Sequence, residues 1–414
     1  MTDVGEPAPG TAVPASDDPP NVPMGAFATI WLTLFLDLLG FGIVIPVLPY
    51  YATEFGASPA VVTLLSSSFS LAQFVMSPVL GRLSDRHGRR PVMLLSIAGS
   101  CASMLVLGFA SALWMVFLAR LVSGSCNANV STANAYIADR VAPRDRARYM
   151  GMMGSAIGMG FVFGPAIGGL LSVPSHPELP FLCAAGLAAV NWLMAWKWLP
   201  ESVTRQPAAA AAAVRRGLSP LRAIRRLLDV RGTPLAALVL VSFGFFLAFS
   251  AMESTMALLT EARFGWDARQ TGYMFTMVGA CIVLAQTVLL GPMVRRFGEK
   301  RTLVIGLLLQ AAGLAACASA FGVVQLVAGA GLTAIGNGLV TPSTSAIVSR
   351  ISSAQEQGLN LGIVQSAAAL SRIFGPAAAG IAFEHISPGA PMGAAAVVVI
   401  GVVLLATPRI HVER

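Results

Sequence analysis

Four ionisable side chains stand inside long apolar runs of this chain: Asp37, Arg120, Glu253 and Arg372. At mid-bilayer each would cost about 2.5–3.5 kcal/mol on insertion scales, so each needs a function or a partner. A carboxyl group in low-dielectric surroundings is suited to loading and releasing a proton. Asp37 and Glu253 are therefore expected to exchange protons. The competing reading is a static brace, Asp37 with Arg120 or Glu253 with Arg372, which needs no exchange.

A second concentration of charge is GRLSDRHGRRP, residues 81–91, set between two apolar runs. Arg82, Arg86, Arg89 and Arg90 could simply anchor the chain against an anionic lipid surface. That leaves Asp85 unexplained. An acid there can pair with arginine or face a helix N-terminus, where the dipole favours negative charge. Asp139, beside Arg140, reads as an interfacial cap. Among weaker polar signals, Gln73, Asn127, Asn129, Asn134, Asn337 and Gln365 interrupt apolar helices and could touch a substrate. Hydrogen bonding between helices is the plainer account of most of them. FGFF (243–246), which includes Phe246, with Phe249 could present a face to a flat apolar ligand.

The elements that must position these groups follow from composition. Charged residues make up 11% of the 414 and hydrophobic ones 56%, with mean hydropathy +0.74. One soluble core could not hide that much apolar surface. The pattern fits an all-α integral membrane protein with twelve spans near 27–50, 60–80, 92–110, 113–137, 150–172, 181–199, 234–259, 271–292, 302–320, 323–349, 359–383 and 389–407. Of the 27 Lys and Arg residues, all but Arg120, Arg372, Arg263 and Arg269 then fall on one side. By the positive-inside bias that side is cytoplasmic and holds both termini. The net charge of +8 thus faces lipid, and no nucleic-acid partner is expected.

The expected organisation is a disordered cytoplasmic tail (1–26), a six-helix bundle (27–199), a cytoplasmic linker (200–233), a second six-helix bundle (234–407) and a short tail (408–414). Within the linker, SPLRAIRRLLD (219–229) has one apolar face and reads as an interfacial helix. The bundles repeat at an offset of 210. GRLSDRHGRRP aligns with GPMVRRFGEKR (291–301), pairing Gly81 with Gly291 and Gly88 with Gly298, and 129–140 lies over 339–350. The five cysteines all fall in apolar segments without CxxC spacing and read as small buried thiols.

GRLSDRHGRRP resembles the loop between helices two and three of the major facilitator superfamily, with Gly81, Asp85, Arg86, Gly88, Arg89 and Arg90 filling its pattern. DLLGFGIVIPVLP (37–49) resembles the first helix of that superfamily's drug:proton antiporters, RLVSG (120–124) the fourth, and GMGFVFGPAIGG (158–169) the antiporter motif of the fifth. The tetracycline-resistance type of exporter is the nearest in kind. The resemblance implies two pseudo-symmetric six-helix bundles in the plasma (inner) membrane, working as a monomer. It implies that Asp85 latches the bundles together on the cytoplasmic side, and that Arg120 couples protons to transport. It also implies that the interface around Gly160, Gly164, Pro165, Gly168 and Gly169 seals the halves. Glycines at every fourth residue and a bend at Pro165 explain close helix packing equally well.

The expected activity is proton-coupled antiport of a small, moderately apolar or cationic compound by alternating access, as in drug efflux. The alternative is a metabolite exporter or uncoupled facilitator of the same fold. No cofactor or metal is expected, the proton gradient being the energy source. Tetracycline is not the expected preferred substrate, because Ser103, Gln310 and Ile282 stand where tetracycline exporters carry two acids and a histidine. An enzyme is disfavoured. His87, His176, His385 and His411 lie outside the spans, and neither a zinc-protease motif nor a phosphate loop occurs.

Overall fold

The computed structural model describes residues 24–141, 143–202, 233–353 and 356–410. The predicted N-terminal tail and the linker helix at 219–229 lie outside the described residues. Fourteen α-helices carry the rest: α1 Met24–Glu54, α2 Pro59–His87, α3 Arg89–Gly108, α4 Leu113–Ser125, α5 Asn129–Arg140, α6 Pro143–Leu171 and α7 Leu179–Trp198 form the first half. The second half holds α8 Pro234–Phe264, α9 Ala268–Leu284, α10 Leu290–Phe297, α11 Glu299–Ala318, α12 Val323–Ile351, α13 Gln357–His385 and α14 Ala390–Leu405. A π-helical turn, Ala285–Leu289, joins α9 to α10. Among the described residues, eleven helical stretches are long and apolar enough to cross a membrane.

The fourth predicted span is the one that breaks. Residues 113–137 form two helices, because Cys126, Asn127 and Ala128 leave helical geometry between α4 and α5. Neither piece is long enough to span alone. The break sits where α4 is held hard against two neighbours: any side chain at Gly124 would strike the Phe69 carbonyl of α2, and Cys126 fills the space beside Gly99 of α3. The matching span of the second half, α12, runs unbroken through Pro342.

The repeat is real in three dimensions. α1 and α8 are both 31 residues long, and α3 and α11 both 20, at the predicted offset. Gly88 and Gly298 take positive φ, +101° and +77°, at the same junction. A residue with a Cβ would be strained at either.

The halves meet mainly through α2 with α13 and α6 with α9. These contacts gather toward one end, here termed the Tyr50 face. There Tyr50 bonds the Thr271 hydroxyl at 2.8 Å and reaches the Ala257 carbonyl at 3.3 Å. Gly380 of α13 presses on Ala60 and Thr63 of α2, and Gly272 of α9 on Pro165 and Gly169 of α6. Toward the opposite, Asp85 face, Phe74, Val75 and Val79 of α2 are exposed apolar side chains. Side-chain hydrogen bonds thus join the halves at the Tyr50 face.

Candidate functional site: a charged cleft between two bundles

The four membrane-embedded charges come from four different helices: Asp37 from α1, Arg120 from α4, Glu253 from α8 and Arg372 from α13. They form two tiers. In the first, Glu253 lies within electrostatic reach of both Arg372 and Arg120. Neither pair closes to an ion pair within 4 Å. Arg120 is 4% exposed, its Nε has no hydrogen-bond partner, and its guanidinium lies over the Phe69 ring at 4.4 Å. Arg372 sits over Phe246 at 5.5 Å. Aromatic faces thus supply part of the stabilisation that a carboxylate would otherwise give these cations.

The second tier is Asp37, which faces the Asn129 amide at the start of α5. Asn129 is fully buried, yet neither amide atom reaches hydrogen-bonding geometry with any group. Under the 210 offset Asp37 corresponds to Leu247, not to Glu253. The two acids are six positions apart along equivalent helices, roughly 9 Å at 1.5 Å per residue. Asp37 is the nearer to the Asp85 face. A direct brace of Asp37 on Arg120, or of Glu253 on Arg372, is absent among the described residues.

Of the polar candidates, Phe246 and Gln365 line a shared pocket in the second half with Ser242, Thr341, Thr344 and Ser345. Asn337 adjoins it through Thr341, at 3.5 Å. Gln73 and Asn127 are half-buried and Asn134 is exposed, all three in the first half away from this pocket. Ser103 and Gln310 are both fully buried, Gln310 donating to the Phe245 carbonyl at 3.3 Å.

The glycine ridge of α6 packs within its own half. Gly160, Gly164 and Gly168 face α1 within their own half: an added Cβ would fall 2.7 Å from Leu38 at Gly160 and 2.7 Å from the Gly42 Cα at Gly164. Between the halves, α9 presses glycines of its own on α6. Gly272 meets the Pro165 carbonyl and Gly169, and Gly279 the Phe161 carbonyl. Gly158, Phe161, Val162, Pro165 and Gly169 of the motif reach the seam, while Gly160, Gly164 and Gly168 do not.

At the Asp85 face, the Asp85 carboxylate takes a hydrogen bond from Arg89 at 2.6 Å, and Arg89 also pairs with Asp139 at 3.0 Å. Asp139 is thus an ion-pair partner rather than a cap. Asp85 stays 58% exposed and makes no bond to the second half. Arg90 donates to the Trp196 carbonyl at 2.5 Å, Arg86 is exposed, and Gly81 has open space beside it. Glu201, which sequence reasoning passed over, accepts from the backbone N–H groups of Arg89 (2.8 Å) and Arg90 (3.2 Å) and so caps α3 from 111 residues away. At the Tyr50 face, Glu384 near the end of α13 accepts from the Ser58 hydroxyl at 2.8 Å and the Ala60 N–H at 3.0 Å, crossing from one half to the other. Spacing alone signals neither acid, since each acts on a helix distant in sequence.

Two pseudo-symmetric helix bundles with ionisable groups buried in their membrane-spanning helices fit a membrane transporter. The chain belongs to the Major Facilitator Superfamily, whose model matches residues 30–285 and 254–414. It is 34% identical to the class C tetracycline resistance protein of Escherichia coli over 364 residues, spanning 85% of this chain and 88% of that protein. It is 32% identical to the class D protein of Salmonella ordonez, over 82% of this chain and 85% of that protein. Among solved structures it resembles the human organic anion transporter MFSD10 (TETRAN), with TM-score 0.69 and 27% identity, covering 94% of this chain and 100% of that one. Its relatives are transporters, and the protein is a multi-pass membrane transporter and not an enzyme.

Proposed function

We propose that this transporter is a proton-coupled antiporter that exports a small, moderately apolar or cationic compound by alternating access. It would act as a monomer in the plasma (inner) membrane with both termini in the cytoplasm, and without cofactor. One observation carries the reading. Glu253 is within electrostatic reach of Arg120 of the other half and Arg372 of its own, yet is tied to neither. A carboxylate locked in a close ion pair would be a brace; one held only at longer range can trade its proton for a ligand.

The linkage sets the sign. A cationic or dipolar ligand bound against ionised Asp37 or Glu253 competes with the proton, and mutual exclusion of that kind gives antiport. Asp85 would latch the halves on its own face once the cleft opens at the Tyr50 face. In the present state that latch is released, with Asp85 turned to Arg89.

A second reading is favoured by Arg120, a buried guanidinium with no acid in contact. A buried unpaired charge is costly, and a ligand bearing an acid group would relieve it. The similarity to an organic anion transporter supports the same class. Such a ligand would favour protonation of Glu253, so proton and substrate would travel together and the coupling sign would reverse.

Weakly buffered, detergent-purified protein with a pH indicator separates the two. Adding a transported cationic compound should release protons on binding; an acid-bearing one should take them up. In proteoliposomes, uphill export should collapse when the pH gradient is dissipated. Uphill transport undiminished without any proton-motive force would overturn proton coupling.

A further inference from the structure

α2 and α13 lie side by side across the seam and run in opposite directions. Each carries one acid at its own C-terminal end: Asp85 in α2, two residues before His87, and Glu384 in α13, one before His385. Each carboxylate sits at the unfavourable pole of its own helix dipole, and Glu384 lies beside the favourable N-terminal pole of its neighbour α2. Glu384 is engaged. Its Oε2 accepts the Ser58 hydroxyl and the Ala60 amide, the N-cap side chain and a first-turn N–H of α2. Asp85 is not, since its Oδ1 is taken by Arg89 of its own half. α2 has no cap of its own: Ser58 occupies the N-cap position but makes no capping bond to α2. The only side chain that bonds the Ala60 N–H among the described residues comes from the other half of the molecule.

We infer that Glu384 is a positioning residue for transport, a latch for the Tyr50 face that works in opposition to Asp85. One helix pair then carries a carboxylate latch at each end. In the present state the Glu384 end is made and the Asp85 end is broken. When the halves rock, the Ser58 and Ala60 bonds must part, because they join separate bundles. The freed first turn of α2 is the cost that Asp85 engagement offsets at the other face. Gly380, one turn before Glu384, leaves the room for this approach, since any Cβ there would strike Thr63. The inference rests on the alternating-access reading, and its test keeps the two apart.

The measurement is a pair of nitroxide distance distributions, in the full-length protein with its five cysteines replaced. One pair, at positions 54 and 387, spans the Tyr50 face, and the other, at 87 and 296, spans the Asp85 face. Losing a helix cap of this type shifts an equilibrium by about three- to thirtyfold. Glu384→Gln should therefore move the population toward opening at the Tyr50 face by a factor in that range. Ser58→Ala should do so by less, and Glu384→Asp should retain part of the closed population. Asp85→Asn should move it the opposite way, and the double variant Asp85→Asn/Glu384→Gln should return toward the original ratio. A merely structural Glu384 would change stability without this opposition of sign. Two populations that Glu384→Gln and Ser58→Ala both leave unchanged, or that Glu384→Gln shifts in the same direction as Asp85→Asn, would overturn the latch while leaving alternating access intact. A single population at both faces in every variant, with and without a pH gradient, would overturn both.

Discussion

The two halves share a plan and differ in what they do with it. In the first, the fourth span breaks at residues 126–128 and leaves Asn129 buried and unbonded beside Asp37. In the second, the same span is continuous, and the position equivalent to Asn129 is Leu339, fully buried in apolar contact. The pairs at the Asp85 face are reversed in sign: Arg89 with Asp139 in the first half, Glu299 with Arg350 in the second. Each half thus carries one ion pair at this junction, with its polarity reversed. Burying an unsatisfied amide is not required by the fold, because the second half manages without it. Departures from the repeat mark function better than agreements with it.

The sharpest way to test that asymmetry is to neutralise the charge with no counterpart. Glu253 corresponds to Ile43 in the first half, so the fold does not need an acid there. Glu253→Gln should insert and fold normally yet reduce proton-driven export by about a hundredfold or more, the scale expected when a proton-transfer group is lost. Transport at the native rate in proteoliposomes would remove Glu253 from the mechanism.

Packing comes next. Gly164→Ala drives a methyl into the backbone of α1 and should cost about 1–3 kcal/mol by the overpacking scale. The repeat glycine Gly291 has open space, so Gly291→Ala should stay within about 0.5 kcal/mol. Thermal unfolding in detergent measures both, and equal losses would contradict the packing described. Asn129→Leu copies the second half into the first. It should stabilise the protein by about 1 kcal/mol, since an unpaired buried amide is removed, while transport falls. A stabilised variant with full transport would make Asn129 a flaw of packing and not part of the site.

The smallest effects belong to the charge pairs. In double-mutant cycles on unfolding, Arg89–Asp139 and Glu299–Arg350 should each couple by about 0.2–1 kcal/mol, as exposed pairs do. The first should be the stronger, because Arg89 is 13% exposed and Arg350 is 52%. The reverse order would mean that exposure does not decide their worth.

Much of this was legible in the amino-acid order. The spans follow from apolar length, and the repeat from Gly88 and Gly298, where the turn needs a positive φ. The break near Asn127 was not legible, because its cause lies in α2 and α3, which crowd Gly124 and Cys126 from outside. The ridge of Gly160, Gly164 and Gly168 announced a close neighbour without saying which; only the fold assigns it to α1. Glu201 and Glu384 escaped notice for one physical reason. A carboxylate that caps a distant helix leaves no local spacing to read. The four membrane charges stood out at once, yet their arrangement in two tiers depends on which helices meet.

The π-helical turn at Ala285–Leu289 has a history written into it. From the N-cap of α2 at Ser58 to the junction glycine Gly88 the chain takes one step fewer than from the N-cap of α9 at Asp267 to Gly298. The second half therefore carries one extra residue in this span. A π turn holds one residue more than the α-helix it interrupts, so it absorbs such an insertion while both ends of the span stay in place. One half thus carries a residue that the other lacks here, and the helix accommodates it as a local swelling instead of a displaced loop. Deleting one residue between 285 and 289 should restore a plain helix and leave the RRFG junction where it stands.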